Sequence, residues 1–465
     1  MTSIKPNKSV PPIVYIAALV LLVGVGFRSC NTSNSSSDSP VNLTHVENLT
    51  SSGDRAFFPK DGTLDKISAI AAYKSENYSQ AELLFARSLQ QKPNDPESWI
   101  YRNNTRAALN SKRSLAIAVS IPGDADANGS REILRGVAQA QTEINLSGGI
   151  NGQALVVIIA SDDNDVNTAR SVASAFVNLP DIYGVVGHYA SNITLETGDI
   201  YTNGELVTIS PISSAVQLSN YSDYVFRTVP SDEIAARALT DYMTQTLKRK
   251  RAVIYFNSQS DYSKSLKGEL STAIALQGGQ IVGEYDLANS SFSPNQSLEE
   301  VAQRGAEVIL LASNTGSLDR ALQVVQANNN RLPILGGDDV YSPKTLDVAR
   351  AKGREMVLAV PWHILGTGSE NFAQRSRKFW GGDVNWRTAT AYDATQALSA
   401  ALQQDPSRRG VQKALKHPNF SASGASRTID FLPSGDRNAP VQLVKVVASE
   451  RSENEFRFVP VPQGD

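Results

Sequence analysis

Residues 183–214 read YGVVGHYASNITLETGDIYTNGELVTISPISS. Two short apolar runs, YGVVGH and LVTISP, flank a helical stretch, and each run ends in small hydroxyl and amide residues. Runs this short and uniformly apolar predict strands buried on both faces, hence a parallel sheet covered by helices. The same unit recurs upstream in LAIAVS, in a helix over REILRGVAQAQTEIN with Ile133, Leu134, Val137, Ala138 and Ile144 on one face, in LVVIIA, and in a helix around Ala169–Leu179. A second series follows Val229-Pro230: AVIYFN, a helix from Tyr262, QIVGEYDL, a helix near Leu298, EVILLAS, a helix from Leu318, and LPILGGDD. Two such series predict an α/β fold of two doubly wound parallel-sheet lobes with a cleft between them.

The chain has 465 residues, enough for two or three domains. Its 44 basic and 46 acidic side chains nearly cancel without long single-sign runs, which argues against a nucleic-acid partner and suits a small neutral or zwitterionic one. Cys30 is the single cysteine, so no intrachain disulfide or cysteine zinc site can form. Lys5 and Lys8 precede the apolar run Ile13–Phe27, a membrane-targeting pattern that places the rest of the chain outside the cytoplasm. Residues 1–30 are read as an uncleaved anchor in the inner membrane, with a cleaved signal peptide and lipidation at Cys30 as the alternatives. Residues 31–62, rich in Ser and Asn, are expected to be a disordered linker. Residues 63–111 resemble one and a half tetratricopeptide repeats (Ala72-Tyr73, Tyr78, Ala81, Phe85, Ala86, Leu89, Pro93–Pro96), read as a helical hairpin that docks on the next domain, acts as a spacer or binds a partner. The first lobe is expected to comprise 112–230 with 361–435, and the second 231–360 with 436–465. Crossings near Val229-Pro230, Val360-Pro361 and Pro433–Pro440 would form a hinge.

In an open parallel sheet, ligands bind beyond the carboxyl ends of strands, where helix N-termini present unpaired N–H groups to anions. Ser191 and Asn192 stand at such a bend, either facing a ligand or merely capping the helix. ISPISS (209–214) supplies a second hydroxyl-rich turn, and the two together would cradle one anionic group. Enzymatic chemistry is not indicated. Only His45, His188, His363 and His417 could serve a serine nucleophile as a histidine base, and His188 ends an apolar strand as a packed residue would. No GxSxG, HExxH or Walker motif occurs. Asp162–Asp165 lacks the glycine and distal glutamate of a calcium loop, so neither metal nor cofactor is expected.

The ordered blocks GVAQAQTEINLSGGINGQ, SDDNDV, GVVGHYASNIT, ISPISS and YVFRTVPSD resemble the type I periplasmic binding proteins of the branched-chain amino acid class, over about Leu115–Val446. The resemblance implies a non-enzymatic protein that closes two lobes over an amino acid or similar solute and delivers it to an ABC permease. It implies that Ser191 and Ser214 bind the ligand α-carboxylate, with Ile212 contributing backbone and Ser213 assisting. Tyr262 would close from the second lobe, and Asp338, or Asp339 beside it, would meet the α-ammonium. Asn314 and Thr315 would line the pocket from the second lobe. The family disulfide between the acidic turn and the hydroxyl loop is missing, with Asn164 and Ala190 near those places, so the loop is expected to be held by packing alone. The first binding loop, IPGDADANGS, carries Asp124 and Asp126 where an aromatic residue is common, which leaves room for a polar or basic ligand side chain or for a solvated loop. The anchor and repeat also fit a second role, a membrane-tethered sensor reporting occupancy to a partner through the helical segment.

Overall fold

The computed structural model describes residues 49–110, 114–450 and 455–462. The apolar segment Ile13–Phe27 and Cys30 lie outside the described residues, and among those described no helix is long and apolar enough to cross a membrane. The chain first forms a short strand β1 (Thr50–Ser51) and helices α1 (Leu64–Lys74), α2 (Tyr78–Gln91) and α3 (Pro96–Leu109). The first alternating series is β2 (Ser114–Ile121), α4 (Ala127–Leu146), β3 (Ala154–Ser161), α5 (Val166–Asn178), β4 (Ile182–Val186), α6 (Ser191–Asn203), β5 (Thr208–Ser210) and β6 (Val225–Arg227). The second is α7 (Asp232–Asp241), β7 (Arg251–Phe256), α8 (Asp261–Leu276), β8 (Gln280–Asp286), α9 (Pro294–Gln303), β9 (Val308–Ala312), α10 (Leu318–Asn328), β10 (Ile334–Gly336), α11 (Pro343–Ala349) and β11 (Val357–Val360). Helices α12 (Glu370–Trp380), α13 (Trp386–Gln404) and α14 (Arg408–Leu415) follow, then the hairpin β12 (Ala422–Ser423) and β13 (Thr428–Ile429), and finally β14 (Gln442–Ala448) and β15 (Phe456–Pro460).

The first sheet has the order β1-β3-β2-β4-β5-β6 and the second β15-β14-β11-β10-β9-β7-β8. Without their edge strands, both show the same doubly wound parallel order, with the first strand of each series between the second and third. The order reverses between β2 and β4 in one sheet and between β7 and β9 in the other, which is where such sheets open a ligand crevice. The edges depart from the all-parallel expectation: β1 runs antiparallel to β3, β14 to β11 and β15 to β14. These strands carry too few or too mixed apolar residues to read as buried parallel strands.

Helices α12–α14 return to the first sheet. Ser376 Oγ and Trp380 Nε1 both donate to Gln139 Oε1 of α4 at 3.0 Å. Helix α13 crosses α4 so closely that a Cβ at Gly136 would lie 2.6 Å from Tyr392 N and would also strike Thr388 O. Glycine is therefore required there by close backbone approach rather than by conformation.

The expected linker is ordered over its described part. Thr50 and Ser51 pair with Ala160 and Ile159, and Phe58 is buried. The helical segment forms three helices rather than a two-helix hairpin, and they dock on the first lobe, as one of the readings from sequence had it. Asn104 of α3 donates from Nδ2 to Val157 O at 2.7 Å and accepts from Val157 N at Oδ1 at 3.0 Å, as a neighbouring strand would. Asn145 of α4 does the same for Leu155, at 2.9 and 2.7 Å. Between them, β1, Asn104 and Asn145 satisfy the outer edge of β3, which would otherwise be an open template for another strand. Within the extension, the Lys66 ammonium sits buried between Glu97 Oε2 at 2.6 Å and Asp95 Oδ2 at 2.9 Å, tying α1 to the start of α3.

Candidate functional site

A cavity of about 270 Å³ lies where the two series face each other. Its walls follow the carboxyl ends of parallel strands throughout. Ala125 and Asp126 come after β2, Asn164 after β3, Tyr189 to Asn192 after β4, and Ile212 and Ser213 after β5. Facing them, Gln259, Ser260 and Tyr262 follow β7, Asn314 to Gly316 follow β9, and Asp338 and Asp339 follow β10.

At one pole, α6 begins with Ala190 as its N-cap, and no side chain caps it. Neither Ser191 nor Asn192 acts as a cap, so that reading is set aside. The first-turn N–H groups lack helical acceptors and carry the positive end of the helix dipole. Ser191 is 2 % exposed, and its Oγ accepts from Ala215 N at 3.4 Å, which leaves its hydroxyl hydrogen available. Ser213 lines the cavity, but its hydroxyl is engaged with Thr194 Oγ1 at 2.8 Å and with Tyr189 O at 3.1 Å. The N–H groups of Ile212 and Ser213 both donate to Ser210 Oγ, at 3.3 and 2.9 Å. These residues shape the turn rather than offering free donors. Ser214 is not among the lining residues; its buried hydroxyl lies beside Asp232, whose carboxyl is pushed up to about 6 by burial.

At the other pole, Tyr262 OH donates to Asp338 Oδ1 at 2.7 Å. Burial, reinforced by the neighbouring Asp339, pushes the Asp338 carboxyl up to about 8, while burial holds the Tyr262 phenol well above its ordinary range. Both Asp339 oxygens are occupied, Oδ1 by Arg387 Nη2 at 2.7 Å and Oδ2 by Thr315 N at 3.1 Å. Arg387 begins α13, on the first lobe, so its bond to Asp339 crosses the cleft. Burial opposes its charge, but Tyr189, Asp339 and Asp126 around it raise its pKa overall. The hydroxyls of Tyr189 and Thr315 make a second crossing at 3.1 Å, and Val216 N donates across to Ser265 Oγ at 3.0 Å. The lobes are closed on one another.

Of the residues singled out from sequence, Ser191, Asn192, Ile212, Ser213, Tyr262, Asn314, Asp338 and Asp339 meet at this cavity. Ser214 and Asp124 do not. Asp124 is exposed, because the turn Gly123–Asp126 carries it outward and presents Asp126 to the cavity instead. Arg387 was missed; its signal was one of only two charges in the otherwise uncharged helix WRTATAYDATQALSAALQQ.

Two poles of opposite preference at matching switch points are what a ligand-closing pair of lobes requires, and the family model for periplasmic binding proteins matches residues 116–451. The chain belongs to the periplasmic binding protein family. Members of this family bind ligands and are not enzymes. Among relatives of this periplasmic binding protein, an amino acid binding protein of Pseudomonas aeruginosa is 27 % identical over 192 residues, spanning 40 % of this chain and 50 % of that protein. The leucine-specific-binding protein of Salmonella typhimurium is 22 % identical over 312 residues, 66 % of this chain and 80 % of its own. An ABC transporter substrate-binding protein of Desulfitobacterium hafniense, solved in complex with Leu, superposes with a TM-score of 0.64 at 23 % identity, covering 75 % of this chain and all of that one. That superposition establishes the type I fold for the two lobes.

His188, beside Ser191 in sequence, is fully buried. Its Nδ1 bonds Asp162 Oδ2 at 2.6 Å and its Nε2 bonds the Tyr201 hydroxyl at 2.9 Å, so neither nitrogen reaches Ser191. Among the described residues no group of His, Cys, Asp and Glu is arranged to hold a metal ion.

Proposed function

We propose that this chain is an extracytoplasmic solute-binding protein that captures an amino acid or a related small zwitterion between its two lobes and presents it to an ABC importer. One observation carries the reading. A single cavity has an uncapped helix N-terminus with the available Ser191 hydroxyl on one lobe, and the Tyr262–Asp338 pair on the other. The first suits a carboxylate and the second an ammonium. Contacts from both lobes favour the closed state, which is the condition for a ligand to drive closure. The names of the Pseudomonas and Salmonella relatives support the same solute class.

Thermal melts of the full chain against a panel of amino acids, small amides and short peptides test this. A ligand at 100 times its dissociation constant adds about 2.7 kcal/mol of stability. Ser191→Ala should abolish that shift while leaving the ligand-free melt within about 1 kcal/mol of wild type, because Ser191 accepts only one long hydrogen bond. A panel without any shift, or an unaffected shift in the variant, refutes the assignment.

A membrane-tethered sensor is the second reading. It is favoured by the fixed docking of α1–α3 on the first lobe through Asn104, together with the exposed Leu64 and Ile67 one helical turn apart on α1. Ligand-dependent association of the full chain with a membrane partner other than a permease would favour sensing over import.

A further inference from the structure

We infer that the cavity takes an amino acid whose side chain ends in a second cationic group, an amine or guanidinium, held by Asp126. The inference rests on the zwitterion reading above and extends it to the ligand's side chain.

Three carboxylates line the cavity, Asp126, Asp338 and Asp339, and no Lys or Arg lines it among the described residues. Both oxygens of Asp339 are used, by Arg387 and Thr315 N. Each of the other two carboxylates has one oxygen engaged and one without a partner among the described residues. Asp338 is 8 % exposed and receives Tyr262 OH at Oδ1 only. Asp126 receives Gly129 N at Oδ1, at 2.9 Å, as the N-cap of α4. Two carboxylates, each with one oxygen unpartnered among the described residues, therefore line one cavity from opposite sides. An α-ammonium satisfies one of them; the second calls for another cation.

The charge count agrees. Arg387 offsets Asp339, and an α-ammonium bound at Asp338 takes the place of the proton that this carboxyl holds in the ligand-free chain, so with ligand bound Asp126 and Asp338 present two negative charges, while the α6 N-terminus supplies a site for one negative group on the ligand. A ligand with two positive groups and one carboxylate balances the cavity, whereas an aliphatic zwitterion leaves a carboxylate desolvated against hydrocarbon. The cavity wall also includes the polar Asn164, Thr315 and Tyr189, with Ala125 and Ala190 as small apolar members.

The test is calorimetric titration of the full chain with L-arginine, its neutral isostere L-citrulline, L-ornithine and L-leucine. A cationic ligand should bind at least about tenfold more tightly than citrulline and leucine, the factor expected for one charge-assisted hydrogen bond. Asp126→Asn should remove most of that preference. Asparagine is as good an N-cap as aspartate, so α4 is preserved and loss of preference is not loss of fold. Leucine or citrulline binding as tightly as arginine and ornithine overturns the inference and leaves the zwitterion site standing. A cationic preference unchanged in Asp126→Asn overturns the role of Asp126. No binding of any of the four, with Ser191→Ala also without effect on any ligand found, overturns the underlying site reading as well.

Discussion

Replacing Arg387 with methionine should be among the most damaging single changes near the cleft. The guanidinium Nη2 lies 2.7 Å from Asp339 Oδ1, and the two side chains are 8 % and 13 % exposed. At that burial the pair belongs with ion pairs whose rupture costs about 3–5 kcal/mol, not with exposed pairs worth about 0–1 kcal/mol. Methionine retains most of the aliphatic stem, so the loss reports the charge left on Asp339, with about 0.5–1 kcal/mol more from the guanidinium stacked 4.3 Å from the Trp386 ring. With a urea slope of about 3 kcal/mol per molar, the midpoint should fall by about 1 M. The pair spans the lobes, so small-angle scattering should also register a more open ligand-free chain. Asp339→Asn in the Arg387→Met background removes the stranded carboxylate and should recover much of the loss, giving strong coupling in a double-mutant cycle. A midpoint shift under about 0.2 M, or simple additivity in the double variant, would refute a buried latch.

Two further outcomes test other parts of the structure. The folded chain keeps a proton on Asp338 up to about pH 8, whereas the unfolded carboxyl gives it up near pH 4, so ligand-free stability should decline as pH rises across that window. Urea midpoints at pH 5 and pH 8 should show a smaller decline in Asp338→Asn than in wild type; equal declines contradict the raised carboxyl. Asn104→Ala should strand the buried N–H and C=O of Val157, at about 1–3 kcal/mol for each group, and urea unfolding should show a loss of at least about 2 kcal/mol. A loss below about 0.5 kcal/mol would mean that α3 merely rests on the sheet edge.

The alternating strands and helices were legible because their short apolar runs are uniform and alternate regularly with helical periodicity. Ser191 was legible because it sits just beyond a strand end in a hydroxyl-rich turn, whereas Tyr262 and Asp338 came from the resemblance to the type I periplasmic binding proteins; all three line the cavity. What escaped depends on contacts distant in sequence. Nothing local in GDAD distinguishes Asp124 from Asp126; one tight turn directs the first to solvent and the second to the cavity. Ser214 reads like Ser213, yet the turn after β5 rotates it toward Asp232. Arg387 lies about fifty residues from Asp339, and a charge within a small-residue helix signals burial without naming its partner. The composition of residues 49–62 resembles a tether because their order comes from β3 and α3 rather than from apolar content of their own.

The loop carrying Ser191 also shows how one constraint can stand in for another. With no cysteine at Asn164 or Ala190, packing alone was expected to hold the hydroxyl loop. Instead the acidic turn after β3 reaches it through Asp162, whose Oδ2 bonds His188 Nδ1 and receives Ser120 Oγ at 2.8 Å, while its Oδ1 receives Asn164 N at 2.9 Å. Ser210 Oγ donates to His188 O at 2.7 Å and Thr208 Oγ1 to Gly187 O at 2.8 Å, so β2, the turn after β3, the end of β4 and β5 share one buried network. A disulfide stabilises largely by restricting the unfolded chain, whereas this network acts only when all four segments are in place and is independent of redox state. It fixes the direction in which α6 begins, and hence where its free N–H groups and the Ser191 hydroxyl point. Asn164 and Ala190, free of any cross-link, are part of the cavity wall. His188 therefore holds the loop, and Ser191 is left uncommitted, as the proposed binding role requires.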